Sequence, residues 1–286
     1  MMPQPYQLFL PARRATSVVF DSPHSGRDYP AALMARSVLD ARSIRSSEDA
    51  FVDDLFAPAL DFGAPLLAAL APRAFIDLNR AEDELDPALI EGVARGPINP
   101  RISSGLGVVP RVVANGRAIY RGKMARAEAE ARVREYWRPY HSALQELLDD
   151  TRAQFGEAIL IDCHSMPHEA IEGLGGRTGR RPDVILGDRF GAAAAATVMD
   201  AVESAFLSAG LRVARNAPFA GAYITQRYGR PSRRQHVIQV EIDRALYMDE
   251  VRVRPSADFD GFRTALSDVI SRICAIGAAE LPLAAE

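Results

Sequence analysis

The chain has 286 residues, of which 48% are apolar and 25% charged, proportions that are typical of globular proteins and exclude a disordered or fibrous chain. Its 34 basic and 37 acidic residues give a formal net charge of −3. They are spread along the sequence without the one-sided basic stripe of a nucleic-acid-binding protein. We therefore expect a small-molecule ligand, no nucleic-acid partner, and a single domain over residues 1–286.

The sequence also argues against a membrane or disulfide-rich protein. No apolar run approaches the roughly 20 residues that span a bilayer, and the N-terminal MMPQPYQLFLPARR lacks the order of charged and apolar residues found in signal peptides. The prediction is a cytoplasmic protein. Only Cys163 and Cys274 are present, without a CxxC pair. A metal site in this chain would therefore need histidine and carboxylate ligands.

Apolar, β-branched runs alternate with helical patterns along the chain. This alternation predicts an α/β fold, with a mostly parallel central sheet that helices cover on both faces. The predicted strands lie in TSVVF (16–20), PLLAAL (65–70), AFIDLNR (74–80), EAILIDCHS (157–165), DVILGD (183–188) and HVIQVEID (236–243), the second and third joined by a tight turn. Helices are predicted at 122–156, with a kink or division at Pro139, at 191–209 and at 259–276. The irregular stretches 82–116 and 172–182 are candidate loops around a site.

Three polar side chains stand at or near the ends of predicted strands. His24 follows TSVVFDS, His164 closes EAILIDC, and Glu241 lies near the end of HVIQVEI. In an open α/β sheet, ligands bind beyond the carboxyl ends of the strands. Two histidines and a carboxylate on separate segments are a common catalytic zinc set, because they hold the metal and leave one position open. A single histidine there would more often be structural, but the three together indicate a site.

The acidic cluster SSEDAFVDDLF offers the missing third ligand at the start of a predicted helix. The alternative is that Ser46 or Ser47 caps this helix and that the acids only favour its positive end. At this stage the sequence leaves both interpretations open. The four candidate acids are Glu48, Asp49, Asp53 and Asp54.

Glu241 is unusual because it interrupts the apolar strand VIQVEI, where an unpaired charge is costly. Next to a metal-activated water it could act as a general base, taking a proton and returning it to the leaving amine. The alternative is an ion pair with a buried arginine, Arg244 or Arg80.

Arg80 follows Asn79 at a predicted strand end and could hold a substrate carboxylate through its guanidinium group. Three histidines are expected to be structural, because His141 lies inside a helix, His168 follows a proline and His236 opens a strand. A second grip on the substrate could come from Arg177, Arg180, Arg181, Arg227 or Arg230.

Other enzyme classes lack their motifs. SPHSG and CHSM place serine beside histidine, but neither matches the G-x-S-x-G elbow of serine hydrolases. The nucleotide-binding patterns G-x-G-x-x-G after a strand and G-x-x-x-x-G-K-[ST] do not occur.

An ordered set of short motifs covers nearly the whole chain and resembles the N-formylglutamate amidohydrolase family, which is related to the zinc carboxypeptidases and the aspartoacylase group. Each motif is weak alone, but the ordered set is specific. The motifs are FDSPHSG (20–26), EDAFVDDLF (48–56), DLNR (77–80), YRGKM (120–124), YWRPYHSAL (136–144), IDCHSMP (161–167), ILGDRFG (185–191), PFAGAYITQRYG (218–229) and QVEIDRALYMDE (239–250).

The resemblance implies a phosphorylase/hydrolase-like α/β fold and Zn²⁺ held by His24, His164 and a carboxylate of EDAFVDD. Asp49 is the preferred third ligand and Glu48 the reserve. The chain departs from the HxxE pair of the carboxypeptidases, because Arg27 stands three residues after His24.

The same resemblance implies roles for the remaining residues of the site. Glu241 would be the general base, and Asn79 with Arg80 would hold the substrate carboxylate. Tyr223 and Arg227 would line the pocket.

The implied reaction is zinc-dependent hydrolysis of N-formyl-L-glutamate to formate and L-glutamate, in the setting of histidine breakdown. Two alternatives remain at this stage. One is the same chemistry on another N-acyl amino acid or a short peptide. The other is a non-catalytic ligand-binding protein of the same fold, against which the presence of Glu241 speaks, since binding alone needs no general base.

Overall fold

The computed structural model describes residues 4–94, 96, 97, 99–178 and 181–278, without the side chains of 175–178. A seven-stranded sheet forms its centre. The strands are β1 (Tyr6–Phe9), β2 (Val18–Ser22), β3 (Leu66–Ala69), β4 (Ala158–Met166), β5 (Val184–Gly187), β6 (Val213–Arg215) and β7 (Gln235–Asp243). Their order across the sheet is β1-β3-β2-β4-β7-β5-β6. A separate two-stranded pair follows, β8 (Met248–Asp249) and β9 (Arg254–Pro255).

The four central strands β3, β2, β4 and β7 are parallel, whereas β1 and β5 run antiparallel to their neighbours β3 and β7. The prediction of a mostly parallel sheet is therefore confirmed. The register of β4 and β7 places His164 opposite Glu241. β4 continues two residues beyond His164 to Met166, so this histidine lies inside the strand and not at its end.

Helices cover both faces of the sheet. They are α1 (Ala31–Arg36), α2 (Val52–Phe56), α3 (Pro100–Ser103), α4 (Arg126–Arg132), α5 (Arg138–Phe155), α6 (Ala196–Ser208), α7 (Tyr223–Tyr228) and α8 (Phe259–Ile276). Alternate residues of β2 point to opposite faces of the sheet. Val18 and Phe20 pack in the core with α2, α6 and α8, whereas Val19 packs in the core with α5. Both faces of the strand are buried, which explains its continuous apolar run. None of the described helices has the length and apolar character of a membrane span.

The predicted strand over residues 74–80 is wrong. The backbone N–H groups of Phe75 and Ile76 both donate to the carbonyl of Pro72, which closes a tight turn instead of a strand. Ile76 and Leu78 are nevertheless fully buried in the core. The apolar pattern of this segment therefore reflects burial and not pairing in the sheet.

The helix predicted at 122–156 is divided, as expected from Pro139, but by a change of helix type. Between α4 and α5 lies a π-helical segment, Val133–Trp137, and the N–H of Arg138 donates to the carbonyl of Val133. The wider turn directly precedes the proline, which has no N–H to donate. α6 begins at Ala196 and not at Gly191, because Arg189, Phe190 and Gly191 adopt positive φ angles that no helix accepts.

Candidate active site

The two predicted histidine ligands are held by neighbouring parallel strands. His24 lies in the loop after β2, and His164 lies on β4, which pairs with β2. Asp49 joins them because its N–H donates to the carbonyl of His24 at 3.0 Å. The alternative in which Ser46 or Ser47 caps the helix does not hold, because both belong to a separate 3₁₀ turn, Ser43–Ser47, and α2 begins after Phe51 without a side-chain cap. Two of the four acids, Asp53 and Asp54, do lie in the first turn of α2.

These three side chains converge on one point. The Nδ1 atoms of His24 and His164 lie 3.5 and 2.9 Å from Oδ2 of Asp49, and the three ligand atoms all lie within 4.8 Å of one another. All three residues are buried, with at most 2% of their surface exposed. Nδ1 of His24 has no hydrogen-bond partner among the described residues. A buried polar atom without a partner is costly, so the cluster is suited to a cation that would complete it.

The opposite nitrogen of each histidine is fixed by a second carboxylate. Nε2 of His24 lies 2.7 Å from Asp77, and Nε2 of His164 lies 2.8 Å from Asp162. A carboxylate behind an imidazole sets the tautomer that leaves the other nitrogen free to bind a metal. Two imidazole nitrogens and one carboxylate oxygen form a ligand set that suits zinc.

Asp49 is stabilised as a carboxylate. Burial alone would raise its pKa, but hydrogen bonds and charges from His164 and His24 outweigh burial and hold the pKa well below its usual range. The other oxygen of Asp49, Oδ1, accepts a hydrogen bond from Arg244 at 2.9 Å. Each oxygen of this carboxylate therefore has its own partner.

Glu48, the reserve ligand, points elsewhere. Its two oxygens accept hydrogen bonds from Arg45 at 2.7 and 2.8 Å and from the hydroxyl of Tyr29 at 3.0 Å. Asp53 and Asp54 form ion pairs with Arg27. Arg27 stands three residues after His24, at the position that is acidic in carboxypeptidases, and here it contacts these two acids and not the cluster.

Glu241 is buried on β7, beside the cluster. Its Oε1 accepts a hydrogen bond from Gln239 at 2.8 Å, and burial raises its pKa to about 7, against the opposing charge of His164. The alternative ion pair is absent from the described part of the chain, because Arg244 contacts Asp49 and Arg80 donates to backbone carbonyls.

A cavity of about 560 Å³ opens in front of the cluster and Glu241. Asn79 and Arg80, the pair predicted to hold the substrate carboxylate, both line it. The amide of Asn79 is already engaged, since it contacts His164 and Asp162 and accepts from the N–H of Ile224. Arg80 is held by the carbonyls of Leu106 and Asn79. Asn79 thus positions His164. Arg80 is the residue of the pair that can still bind a ligand, because its second terminal nitrogen makes no hydrogen bond to a described residue.

Two predicted pocket residues are not brought to the cavity. Neither Tyr223 nor Arg227 belongs to its lining. Both lie on α7, where Tyr223 packs against Trp137 and His141 and Arg227 is exposed. Tyr223 therefore faces the helical segment that carries Trp137 and His141, and Arg227 faces solvent.

The other candidate arginines and histidines that the structure describes also lie away from the cavity lining. Arg181 donates to His168, Arg230 donates to backbone carbonyls of its own turn, and Arg180 and the side chain of Arg177 lie outside the described residues. Burial lowers the pKa of His141 to about 3, so this histidine is neutral between Tyr228 and Leu78.

The sequence analysis missed several residues of the site. Asp162 stands two positions before His164, a spacing that on β4 puts both side chains on one face and could have suggested their contact. Asp77 contacts His24 from a segment that is not a strand, and no spacing in the sequence indicates that pair. Arg244 was named only as a possible ion-pair partner of Glu241, and Arg73 and Arg101 carried no such pattern among the many arginines of the chain. All three line the cavity, together with Gln239.

The loop that carries His24 depends on Gly26. A Cβ at this position would lie 2.1 Å from the carbonyl oxygen of Ala71. We expect Gly26→Ala to lower the free energy of unfolding by about 1–3 kcal/mol, because this contact is with rigid backbone. Chemical denaturation measures the effect. The matched control is Gly261→Ala in α8, where a Cβ meets no atom within 4 Å. Equal stability of the two variants would contradict the tight packing of this loop.

Fold and site together define the class: an α/β protein with a buried cluster of two histidines and one carboxylate facing a cavity, an arrangement suited to metal-dependent hydrolysis. The sequence model of the family described as N-formylglutamate amidohydrolase matches residues 16–248. The chain belongs to this family and is an amidohydrolase.

Individual relatives agree with this assignment. N-formylglutamate deformylases of Pseudomonas aeruginosa and Pseudomonas putida are 32% and 30% identical to it, covering 83% and 82% of this chain and 84% and 82% of theirs. The crystal structure of N-formylglutamate amidohydrolase from Ralstonia eutropha JMP134 matches with a TM-score of 0.88 at 36% identity, covering 96% of this chain and 98% of that one. A gene product from Agrobacterium tumefaciens, with a TM-score of 0.62 at 16% identity over 94% of this chain and 96% of its own, shares the fold.

Proposed function

We propose that this amidohydrolase is a zinc enzyme that hydrolyses N-formyl-L-glutamate to formate and L-glutamate, with residues 1–286 acting as one catalytic domain. The observation that carries the proposal is the convergence of His24, Asp49 and His164 beside the buried Glu241, at the base of a cavity. The names of the Pseudomonas and Ralstonia relatives support the choice of substrate. A cytoplasmic location and a role in histidine breakdown stay predictions.

His24, Asp49 and His164 would hold the metal through Nδ1, Oδ2 and Nδ1. Zinc, when bound there, would supply Lewis-acid activation of a water molecule and of the amide carbonyl. Asp77 and Asp162 keep the imidazoles oriented through their hydrogen bonds. Arg244 keeps Asp49 oriented in the same way.

Glu241 would act as the general base. Gln239 holds one of its oxygens, and the other makes no hydrogen bond to a described residue. This free oxygen can take a proton from the attacking water and pass it to the leaving nitrogen. The carbon–nitrogen bond of the amide then breaks, the hydroxyl stays on the formyl carbon, and the products are formate and the free amino group.

Arg73 places a cation beside this reaction centre. It lines the cavity and forms an ion pair with Asp77, with Nε 3.0 Å from Oδ2. Negative charge develops on the carbonyl oxygen during attack by water, and a fixed cation in a cavity of low dielectric stabilises such charge. Arg73 is therefore proposed to assist the hydrolysis from the side of Asp77.

The test is formate release from N-formyl-L-glutamate, with the acetyl and succinyl analogues beside it. We expect release that a chelator abolishes and that added zinc restores, with the formyl compound preferred. Comparable rates on all three compounds would replace the formyl assignment by a broader N-acyl amino acid deacylase. Release that is insensitive to chelator, at a protein metal content near zero, would contradict the zinc site.

A further inference from the structure

Among the described residues, four arginines line the cavity, and two of these are paired with neighbouring carboxylates. Arg73 pairs with Asp77, and Arg244 pairs with Asp49. Arg80 has hydrogen bonds to backbone carbonyls alone. The guanidinium of Arg101 has no hydrogen bond or ion pair to any described residue. In the described part of the chain, two guanidinium groups of the cavity therefore have no anionic partner.

The two unpaired arginines are tied to one another by the backbone. Nε of Arg80 donates to the carbonyl of Leu106 at 3.0 Å, and the N–H of Leu106 donates to the carbonyl of Arg101 at 2.8 Å. The pKa of Arg80 is lowered first by burial and also by the charges of Arg73 and Arg101, while Asp77 opposes this. Arg80 and Arg101 are therefore neighbouring like charges.

The segment that carries Arg101 is fixed by several contacts. Asn99 caps α3 by accepting from the N–H of Arg101 at 2.9 Å. Arg111 closes the loop behind α3, because it forms an ion pair with Asp86 at 2.8 Å and its N–H donates to the carbonyl of Gly105. A guanidinium on such a fixed loop can bind an anion without ordering the backbone first.

The charge of the cavity calls for an anionic ligand. The described lining has four arginines and three carboxylates, Asp49, Asp77 and Glu241, so the arginines outnumber the carboxylates even when all three acids are ionised and before a metal ion is added. An N-acyl amino acid with an acidic side chain carries two carboxylates, one for each unpaired guanidinium. Two separate arginine–carboxylate contacts would supply both orientation and selectivity.

We propose that Arg101 determines specificity by binding the side-chain carboxylate of the substrate, while Arg80 binds the α-carboxylate. This assignment rests on the proposed function. Arg80 is only 6% exposed and lies next to Asn79, which contacts His164. It is therefore the inner arginine. Arg101 lines the same cavity and is exposed to solvent. The α-carboxylate is close to the scissile amide, whereas the side-chain carboxylate lies further along the substrate.

The experiment compares N-formyl-L-glutamate with N-formyl-L-glutamine, which has nearly the same shape but an uncharged side chain. For Arg101→Ala we expect kcat/KM on the glutamate compound to fall about 10- to 100-fold, mainly through KM, as for a lost hydrogen bond to a charged group. The rate on the glutamine compound should change by less than about threefold, a small fraction of that loss. Arg101→Lys should restore part of the preference for glutamate, because it keeps the charge.

The matched control is Arg126→Ala, at an exposed arginine of α4 that pairs with Glu130 outside the cavity. This variant should keep wild-type rates on both compounds. Metal content is measured for every variant to confirm that the cluster is intact. An Arg101→Ala variant that keeps the wild-type preference for glutamate, or loses activity equally on both compounds, overturns the role of Arg101.

Failure of the proposed function has a different outcome. In that case the metal-loaded wild-type protein itself releases no formate from either compound. The comparison of variants is then made by equilibrium binding of L-glutamate and L-glutamine. Tighter binding of glutamate that disappears in Arg101→Ala supports the carboxylate site independently of turnover, and equal binding of the two amino acids by the wild type overturns it.

Discussion

Glu241→Gln is expected to lower kcat by about 10²- to 10⁴-fold, the usual contribution of a general acid or base. Glutamine has the shape of glutamate and can still accept the hydrogen bond from Gln239, but it cannot take a proton. Metal content and thermal stability should stay close to wild type, because Glu241 is not a member of the His24–Asp49–His164 cluster. Formate release and metal analysis on the same preparation measure both effects.

The matched control for this variant is Glu169→Gln. Glu169 is exposed and does not line the cavity in front of the metal-ligand cluster. It should leave kcat unchanged. If Glu241→Gln retains wild-type turnover, the proton is carried by another group. A variant that has lost both metal and activity would show instead that Glu241 supports the metal site.

Asp49→Asn is expected to weaken metal binding by at least about 100-fold, since even residues behind the ligands typically cost 10- to 100-fold. The two oxygens of Asp49 serve different partners, with Oδ1 on Arg244 and Oδ2 facing the two histidines. An asparagine has a single oxygen and can serve only one of them. Titration of the apoprotein with zinc against a competing chelator measures the affinity, and activity at low zinc should fall in parallel.

The neighbouring acid provides the matched control. Glu48→Gln removes a carboxylate one residue away, but its partners are Arg45 and Tyr29 and not the cluster. We expect zinc affinity within about threefold of wild type, a small change compared with the loss of a ligand. The reverse result, with zinc lost in Glu48→Gln and kept in Asp49→Asn, would make Glu48 the ligand.

Much of the sheet and part of the site could be predicted from the sequence. Continuous apolar runs identified the buried strands β2, β4 and β7, because a strand covered on both faces needs apolar side chains at nearly every position. A histidine or glutamate that interrupts or directly follows such a run is conspicuous, since an unpaired polar group there is costly. His24, His164 and Glu241 were found for this reason.

Predictions from the sequence were wrong where the local structure depends on a turn or on packing between segments. The segment 74–80 has the composition of a strand, but its apolar residues are buried by a turn on Pro72. Tyr223 and Arg227 were placed in the pocket by resemblance, and the packing of α7 against Trp137 and His141 turns them away. Neither outcome is encoded in the spacing of the residues concerned.

The sequence by itself determined the α/β class, most of the parallel strands and the candidate polar residues on or just after them, because those depend on local burial patterns. The residues left the choice between the adjacent acids Glu48 and Asp49 open, the family resemblance favoured Asp49, and the tertiary structure places Asp49 with the histidines. It also decided which arginines are neutralised by Asp77 and Asp49 and which, Arg80 and Arg101, are left without an anion among the described residues. Such pairings depend on distances between segments far apart in the chain, and only the packing of those segments sets the distances.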